Sequence, residues 1–402
     1  MYKTFCQECG PAEVPHFLSK LNQTVGITAD IFTTPIRPVV RFIILNFNRQ
    51  IDLLTYCLLV SLSFLKIIKL ATKPSSDLDT DRAKCMWQAA NERKILVKEV
   101  WFLAKPLNIF LAKLPNGKRL VFEGLPRPGG DSPNLEWMDN KGVMKIKFRR
   151  AGFPVPRGDS CFTLSKGMKI FREIRKNGGM TVVKPTLGSR SRHTRIHIKT
   201  EDEFITAFKI AKQIGPVVSV EEELRGTVFR VVLIGGKLAG VLRRDPPFVV
   251  GDGQKSVRNL VIETNSDERR QSHVFHAIPF NEEMDAALQI QNINRDSVPR
   301  FGEKIIVGTK IGRSQGGTNV DVTDEVHLEN KKLFLDIAKY LKDPLIGLDF
   351  IIEDIKKPWR GQMPCGTIEI NTIPFLDLHM YPFSGTPRDL SGMLWDEALR
   401  TA

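Results

Sequence analysis

Cysteine is scarce in this chain: six in 402 residues, of which only Cys6 and Cys9 lie close together. That argues against a disulfide-stapled secreted scaffold and points to a reducing, cytoplasmic setting. Aromatic residues make up only 8%. No segment interleaves them with basic residues as a base-stacking platform would, so nucleic acid is not an expected partner. With 24 Pro and 30 Gly the chain is neither low-complexity nor collagenous. A long uninterrupted hydrophobic run is also missing. The apolar stretch from Val39 to Leu70 is broken by Arg41, Asn46, Asn48, Arg49, Gln50 and Asp52. Its cleanest part, Leu53 to Leu65, falls short of the ~20 residues that cross a bilayer. It also begins too far into the chain for a cleaved signal peptide.

Acidic residues are in deficit. Lys and Arg number 59 against 45 Asp and Glu, a net charge of +14. Such a surplus favours anionic partners, among them nucleotides, acidic peptides and anionic lipid, although a generally basic proteome produces the same balance. Lys66 and Lys69 follow Leu53–Leu65 and suit contact with a membrane surface. The preferred reading is a helix or helical hairpin buried in the main fold. Cys6 and Cys9 with His16 offer the start of a zinc site, but no second Cys pair follows at finger spacing.

The chain divides into an apolar, mainly helical segment (1–72), a small α+β region with a hairpin (83–138) and a longer region (139–400). Lys73 to Arg82 reads as a linker. Ala83 to Lys98 looks helical. Pro115-Asn-Gly-Lys118 between the apolar runs Leu107–Leu114 and Arg119–Phe122 is a hairpin signal. From about Asp139 helices and strands alternate. Helices are expected over Gly142–Ala151, Leu164–Lys176 and Glu201–Ile214, and strands over Met180–Val183, Val217–Glu221, Val228–Ile234 and Lys237–Leu242. Gly235-Gly236 supplies a two-residue turn.

Several features here carry chemistry. Lys184 ends a short apolar strand, from which an ammonium can reach a nucleotide phosphate as a point charge. The loop Gly188-Ser-Arg-Ser-Arg-His-Thr-Arg195 follows at once. Its small residues, backbone N–H groups and three Arg suit a phosphate cover. Val218-Ser-Val-Glu-Glu-Glu-Leu-Arg-Gly226 runs from a strand into carboxylates and can present backbone groups to an adenine edge. Glu369 and Asn371 are two apart in a strand, so both side chains share a face. With Asp349 on another strand they form a hard oxygen set suited to Mg²⁺ or Mn²⁺.

Together these residues resemble the ATP-grasp superfamily, in particular the ATP-grasp portion of cyanophycin synthetase and related carboxylate–amine ligases. Asp139-Asn-Lys-Gly-Val-Met-Lys with Ala151-Gly-Phe-Pro-Val-Pro156 is similar to that family's opening. Val249-Val-Gly-Asp-Gly-Gln254 and Asn265-Ser-Asp-Glu-Arg-Arg270 follow in its order. Arg313-Ser-Gln-Gly-Gly-Thr-Asn-Val-Asp-Val-Thr-Asp-Glu-Val-His327 and Leu376-Asp-Leu-His-Met-Tyr-Pro-Phe-Ser-Gly-Thr-Pro-Arg388 are its most specific pieces. The resemblance runs from Asp139 to about Leu399.

It implies an α/β (α+β) ATP-grasp fold of two lobes clasping ATP. Lys141 and Lys184 would contact phosphates, Glu221, Glu222 and Leu224 would lie along the adenine hinge, and Asp349, Glu369 and Asn371 would bind Mg²⁺. Arg244 and Arg313 would face the triphosphate or an acyl phosphate. Ser314, Gly316, Gly317 and His379 would line the acceptor side. The implied activity is an ATP-dependent ligase that joins a carboxylate substrate (small molecule or acidic peptide) to an amine through an acyl phosphate. A kinase stopping at phosphoryl transfer and a nucleotide-binding scaffold are the alternatives, and homo-oligomerisation stays open. Two departures stand out. Ser191 and His193 occupy positions that are glycine in the family's cover loop, and Val228 stands where an acid normally holds the ribose hydroxyls. No Mur-ligase-like half follows before Ala402, so synthesis of the branched polymer by this chain alone is not expected.

Overall fold

The computed structural model describes residues 6–9, 14–33, 35–74, 82–130, 132, 134–187, 192–272 and 274–401. The expected linker lies mostly outside them (75–81), as does the first half of the basic loop (188–191). Two compact units are each assembled from separated stretches of chain. One takes residues 1–38, 136–228 and 348–370, and the other 39–135, 229–347 and 371–402.

The first unit is built on an antiparallel sheet in the order Gly158–Cys161, Val218–Glu222, Thr181–Pro185, Arg195–Ile198. Helices Leu164–Lys176 and Glu201–Ala211 cover one face, where Phe171, Phe204, Phe208, Val183 and Val220 form the core. The Phe171 and Phe204 rings stack with centroids 4.8 Å apart. The second helix starts with a reciprocal cap between Thr200 and Glu203, which satisfies backbone donors that its first turn would otherwise leave unpaired. Gly158 lets two strands approach closely: a Cβ there would sit 2.1 Å from the Val220 carbonyl oxygen. The helix His16–Thr33 belongs to this unit and is tied to it by Ser19 and Gln23, which both donate to the Ile214 carbonyl at 3.0 Å.

The second unit contains an antiparallel meander of Lys69–Ala71, Leu96–Phe102, Lys105–Lys113 and Arg119–Glu123. Pro115-Asn-Gly-Lys118 makes the expected hairpin, with Lys113 opposite Arg119. The first helix of this region is shorter than its apolar pattern suggests. It spans Arg82–Glu92, and Leu96–Phe102 is a strand because its alternation pairs with Lys105–Lys113. Helix Leu390–Arg400 packs on the same core, where Trp395 meets Phe122 edge-on and donates its indole N–H to the Met86 carbonyl at 2.8 Å. Strands Thr318–Asp321, Lys237–Asp245 and Thr227–Ile234 pair in that order in this unit, and Leu345–Ile352 pairs with Gly366–Asn371, both lying mostly in the first unit.

One expectation is overturned. The apolar segment before residue 70 is helical, as Arg37–Phe64 with non-helical backbone at Phe47, but it is not a buried core element. Leu54 is 70% exposed, Leu58 58% and Phe64 88%. No helix among the described residues is long and apolar enough to cross a membrane.

This exposure has a thermodynamic consequence. Leu54→Ser with Leu58→Ser should change unfolding free energy by no more than ~0.5 kcal/mol per site, whereas Trp395→Ala should cost ~3–5 kcal/mol. Urea unfolding of the two variants beside wild type measures both.

Candidate active site

The expected phosphate lysines do not stand alone. Helix Lys141–Arg150 begins at Asn140, whose side chain accepts from the Gly142 and Val143 N–H groups. The i,i+4 spacing then puts Lys141 and Lys145 on one helix face. Both are buried. Across from them the strand Val218–Glu222 alternates, with Val220 toward the core and Ser219 and Glu221 toward the lysines. Lys184 pairs opposite Ser219 and so points to that same face.

These residues converge on the Glu221 carboxylate. It forms ion pairs with Lys145 and with Lys184, the latter at 3.0 Å, and accepts a hydrogen bond from the Ser219 hydroxyl. Burial opposes ionisation of Glu221, but the Lys145 and Lys184 ammoniums outweigh it and hold the carboxyl down at about 2. For Lys145 burial wins: desolvation lowers it to about 7 against the pull of Glu221, and repulsion from Lys184 adds to the drop. Glu221 was expected at the hinge as an adenine contact, yet its side chain is engaged by lysines. Lys145 was not singled out from sequence. Its place one helical turn after Lys141 was the available signal.

The neighbouring hinge residues are also engaged. The Glu222 carboxylate receives a two-pronged contact from Arg157, with Nε at 2.7 Å. Glu223 accepts from the His197 backbone at 2.8 Å. Leu224 is buried, and beyond it Gly226 has φ +107, where a Cβ would meet the Ile352 carbonyl at 2.2 Å. Val228 opens the strand Thr227–Ile234 and is half-buried. Of the loop arginines, Arg195 is paired with Glu8 rather than free to cover a phosphate.

Lys141 also reaches the expected metal set, with its Nζ 3.6 Å from Glu369 Oε2. Glu369 and Asn371 lie on one face of the strand Gly366–Asn371, and Asp349 sits on the adjacent strand Leu345–Ile352. Asp349 is buried, and the Asn371 amide nitrogen is buried with no hydrogen-bond partner. Two carboxylates and an amide can offer hard oxygen atoms; the unpartnered Asn371 nitrogen is a donor and would face away from a cation. The residues fit a hard divalent cation.

In the second unit the two most specific sequence pieces grip each other. Arg313 donates to Asp377 at 3.0 Å and lies 5.0 Å from the Phe375 ring. Arg388 holds Asp321 at 2.9 Å, and the Asn319 side chain accepts from the Phe383 N–H at 2.8 Å. Burial raises the Asp377 carboxyl, and Arg313 opposes it. Arg244 donates to the Ile311 carbonyl at 3.2 Å. Ser314 lies in a short 3₁₀ turn that Gly316 ends at φ +82, and a Cβ on Gly317 would sit 2.8 Å from the Ile311 carbonyl oxygen. His379 does not line an open surface. It is fully buried against Gly240, where a Cβ would come within 2.5 Å of its Nδ1, and burial lowers it to about 3, so it is neutral. A cavity of about 760 Å³ in this unit is lined instead by Arg243, Arg269, Arg270, Asp245, Asp267 and Phe383 among others. Its charges largely pair with one another, as Arg243 does with Asp245 and Arg269 with Asp267.

Comparison with known proteins bears on this arrangement. The chain is 30% identical over 265 residues to a cyanophycin synthetase of Nostoc sp., covering 65% of this chain and 29% of that one. It is 32% identical over 273 residues to the glutathione biosynthesis bifunctional protein GshAB of Mannheimia succiniciproducens, covering 65% and 36%. The crystal structure of a bifunctional glutathione synthetase from Pasteurella multocida matches with a TM-score of 0.57 and 24% identity, over 80% of this chain and 44% of that one. The fold is shared with that bifunctional glutathione synthetase. No family model matches the chain. The chain spans about a third of the length of the curated relatives it matches.

The buried charge cluster around Glu221 predicts a pH signature. Glu221→Gln should cost ~3–5 kcal/mol, because it leaves Lys145 buried without its carboxylate. Wild-type Lys145 stays protonated in the folded state below about 7. Without Glu221 its folded pKa falls further below the unfolded value, so the unfolded chain then binds a proton that the folded chain does not. The deficit should therefore deepen as pH falls from about 7 toward 5. Thermal melts across that range test it, and a deficit independent of pH would exclude the assignment.

Proposed function

We propose that this chain is an ATP-dependent carboxylate–amine ligase acting through an acyl phosphate. The observation that carries this reading is the placement of Lys145 and Lys184 on the buried Glu221 carboxylate, with Lys141 one helical turn before Lys145 and 3.6 Å from Glu369. Cations beside hard oxygen ligands are what a nucleotide triphosphate with its divalent ion requires.

In this reading Lys141 and Lys184 bind phosphate oxygens, while Glu221 sets the spacing and protonation of the lysines. The backbone from Glu222 to Leu224 receives the base. Asp349, Glu369 and Asn371 hold Mg²⁺, with Mn²⁺ an alternative ion. When bound, the ion neutralises phosphate charge. Arg244 and Arg313 are assigned to the transferring phosphoryl group, with Arg313 aimed by Asp377. The Ser314–Gly317 turn belongs to the acceptor side, and His379 supports it from within as a neutral, buried ring. No protein nucleophile is needed, and catalysis consists of positioning and charge neutralisation. The net charge of +14 suits a substrate carrying several carboxylates.

ADP release in the presence of candidate acids, with and without an amine, tests the reading. Hydroxylamine as the acceptor should yield a hydroxamate. ADP formation with acid alone, and no hydroxamate, would instead favour a kinase. No ADP under any condition would leave nucleotide binding without turnover.

Glu369→Gln should lower ATP turnover by on the order of 100-fold or more at unchanged melting temperature, since a neutral amide replaces a metal carboxylate. Steady-state ADP release by the purified variant measures it. Val228→Glu should tighten ATP several-fold, the size of one added hydroxyl hydrogen bond of ~0.5–1.5 kcal/mol, read by calorimetry.

A further inference from the structure

The end of the basic loop and the start of the chain meet at four side chains, two thiols and two imidazoles. Cys6, Cys9, His16 and His193 place one ligand atom each so that all four lie within 4.8 Å of one another. Cys9 Sγ is 3.2 Å from His16 Nε2 and 3.3 Å from His193 Nε2, and Cys6 Sγ is 3.7 Å from His193 Nε2. A tetrahedral ion with Zn–S of ~2.3 Å and Zn–N of ~2.0–2.1 Å sets S···N edges of about 3.5 Å. The observed separations bracket that value.

The surroundings prepare the same geometry. His193 is fully buried, and its Nδ1–H donates to the Ile210 carbonyl at 3.0 Å. That bond assigns the proton to Nδ1 and leaves the Nε2 lone pair aimed at the two sulfurs, the outer contact that a ligating imidazole usually has. The His193 N–H also donates to the Glu8 carbonyl at 3.3 Å, inside the Cys6–Cys9 turn, and Arg195 pairs with the Glu8 carboxylate. His16 begins its helix, which Ser19 and Gln23 fix to Ile214. Each donor is therefore positioned by contacts of its own.

A network of thiol hydrogen bonds is a poor alternative account. Cys9 faces two imidazole nitrogens and has a single S–H proton. His193 Nε2, once Nδ1 carries the proton, faces two sulfurs. A cation that all four donors share resolves both conflicts.

We propose that Cys6, Cys9, His16 and His193 form a structural zinc site that staples the end of the loop following Lys184 to the N-terminal segment. Four protein ligands close the coordination shell and leave no open position for a substrate, so the ion is structural and not catalytic. The soft–borderline S₂N₂ set suits zinc better than the hard cation assigned to Asp349 and Glu369. The site also accounts for a departure noted above. His193 stands where the resembling family has a glycine in its cover loop, and it keeps the left-handed backbone (φ +52) that such a glycine allows. Here a ligand replaces loop freedom. The proposal does not depend on the ligase reading.

The test uses the full chain, purified under reducing conditions without a metal-affinity tag. Elemental analysis should find about one zinc per chain. Co²⁺ exchanged into the site should give the intense visible bands of tetrahedral cobalt with a sulfur-to-metal charge-transfer band. Cys9→Ser should abolish binding. His193→Gly, which restores the family residue and so keeps the backbone accommodated, should weaken zinc at least tenfold and broaden the cobalt bands toward higher coordination. Removing zinc with a chelator should lower the melting temperature of wild type, and added Zn²⁺ should restore it, with neither treatment affecting His193→Gly. A metal-free protein whose melting ignores Zn²⁺, a Cys6–Cys9 disulfide under reducing conditions, or cobalt spectra without the thiolate band would each overturn the proposal.

Discussion

The charge balance around Glu221 is the constraint on which the first unit depends. A carboxylate and the Lys145 ammonium, each almost wholly withdrawn from water, are tolerable only because they face each other. Lys184, half a strand away, adds a second cation at 3.0 Å, and Ser219 occupies a further lone pair. That set fixes the register between Val218–Glu222 and Thr181–Pro185. A one-residue slip would turn Ser219 and Glu221 into the Phe171/Phe204 core and Val220 toward the lysines. It also fixes the rotation of helix Lys141–Arg150, because only one face of it carries both Lys141 and Lys145. Folding and the chemistry assigned to this unit thus draw on the same side chains.

Lys145 and Lys184 share the single Glu221 carboxylate, which leaves a net positive charge with Lys145 protonated. Such an arrangement is suited to a polyanion. Burial is the main cause of the lowering of Lys145 to about 7, and repulsion from Lys184 and Lys141 adds to it. The second unit shows a different strategy. There Arg313 pairs with Asp377, and Arg388 pairs with both Asp321 and the exposed Asp324; the Asp377 and Asp321 side chains are essentially inaccessible. These pairs tie two sequence pieces together across a gap in the chain. They aim a guanidinium instead of storing uncompensated charge.

Much of the fold was legible in local pattern. Leu164–Lys176 ends where Gly178-Gly179 stops it, and the Asn116-Gly117 turn and the Gly235-Gly236 turn connect strands as their residue types require. The pattern failed where pairing outweighed it. Leu96 to Lys98 reads as the end of a helix until a partner strand is available. It failed again at Arg37–Phe64, because apolar content signals burial only when another surface exists to cover it.

The amino-acid order by itself determined the helix and strand alternation after residue 139, the ordered pieces that resemble ATP-grasp ligases, and the hard oxygen donors two apart in one strand, since each depends on spacing along a few residues. It did not reveal that Glu221 belongs to the lysines, that His379 is sealed against Gly240, or that His193 completes a set begun at Cys6. Each of these joins residues far apart in the chain, and no periodicity encodes which distant side chains will share a cavity. Only the closing of the sheet in the first unit brings Cys9 and His193, 184 positions apart, to 3.3 Å.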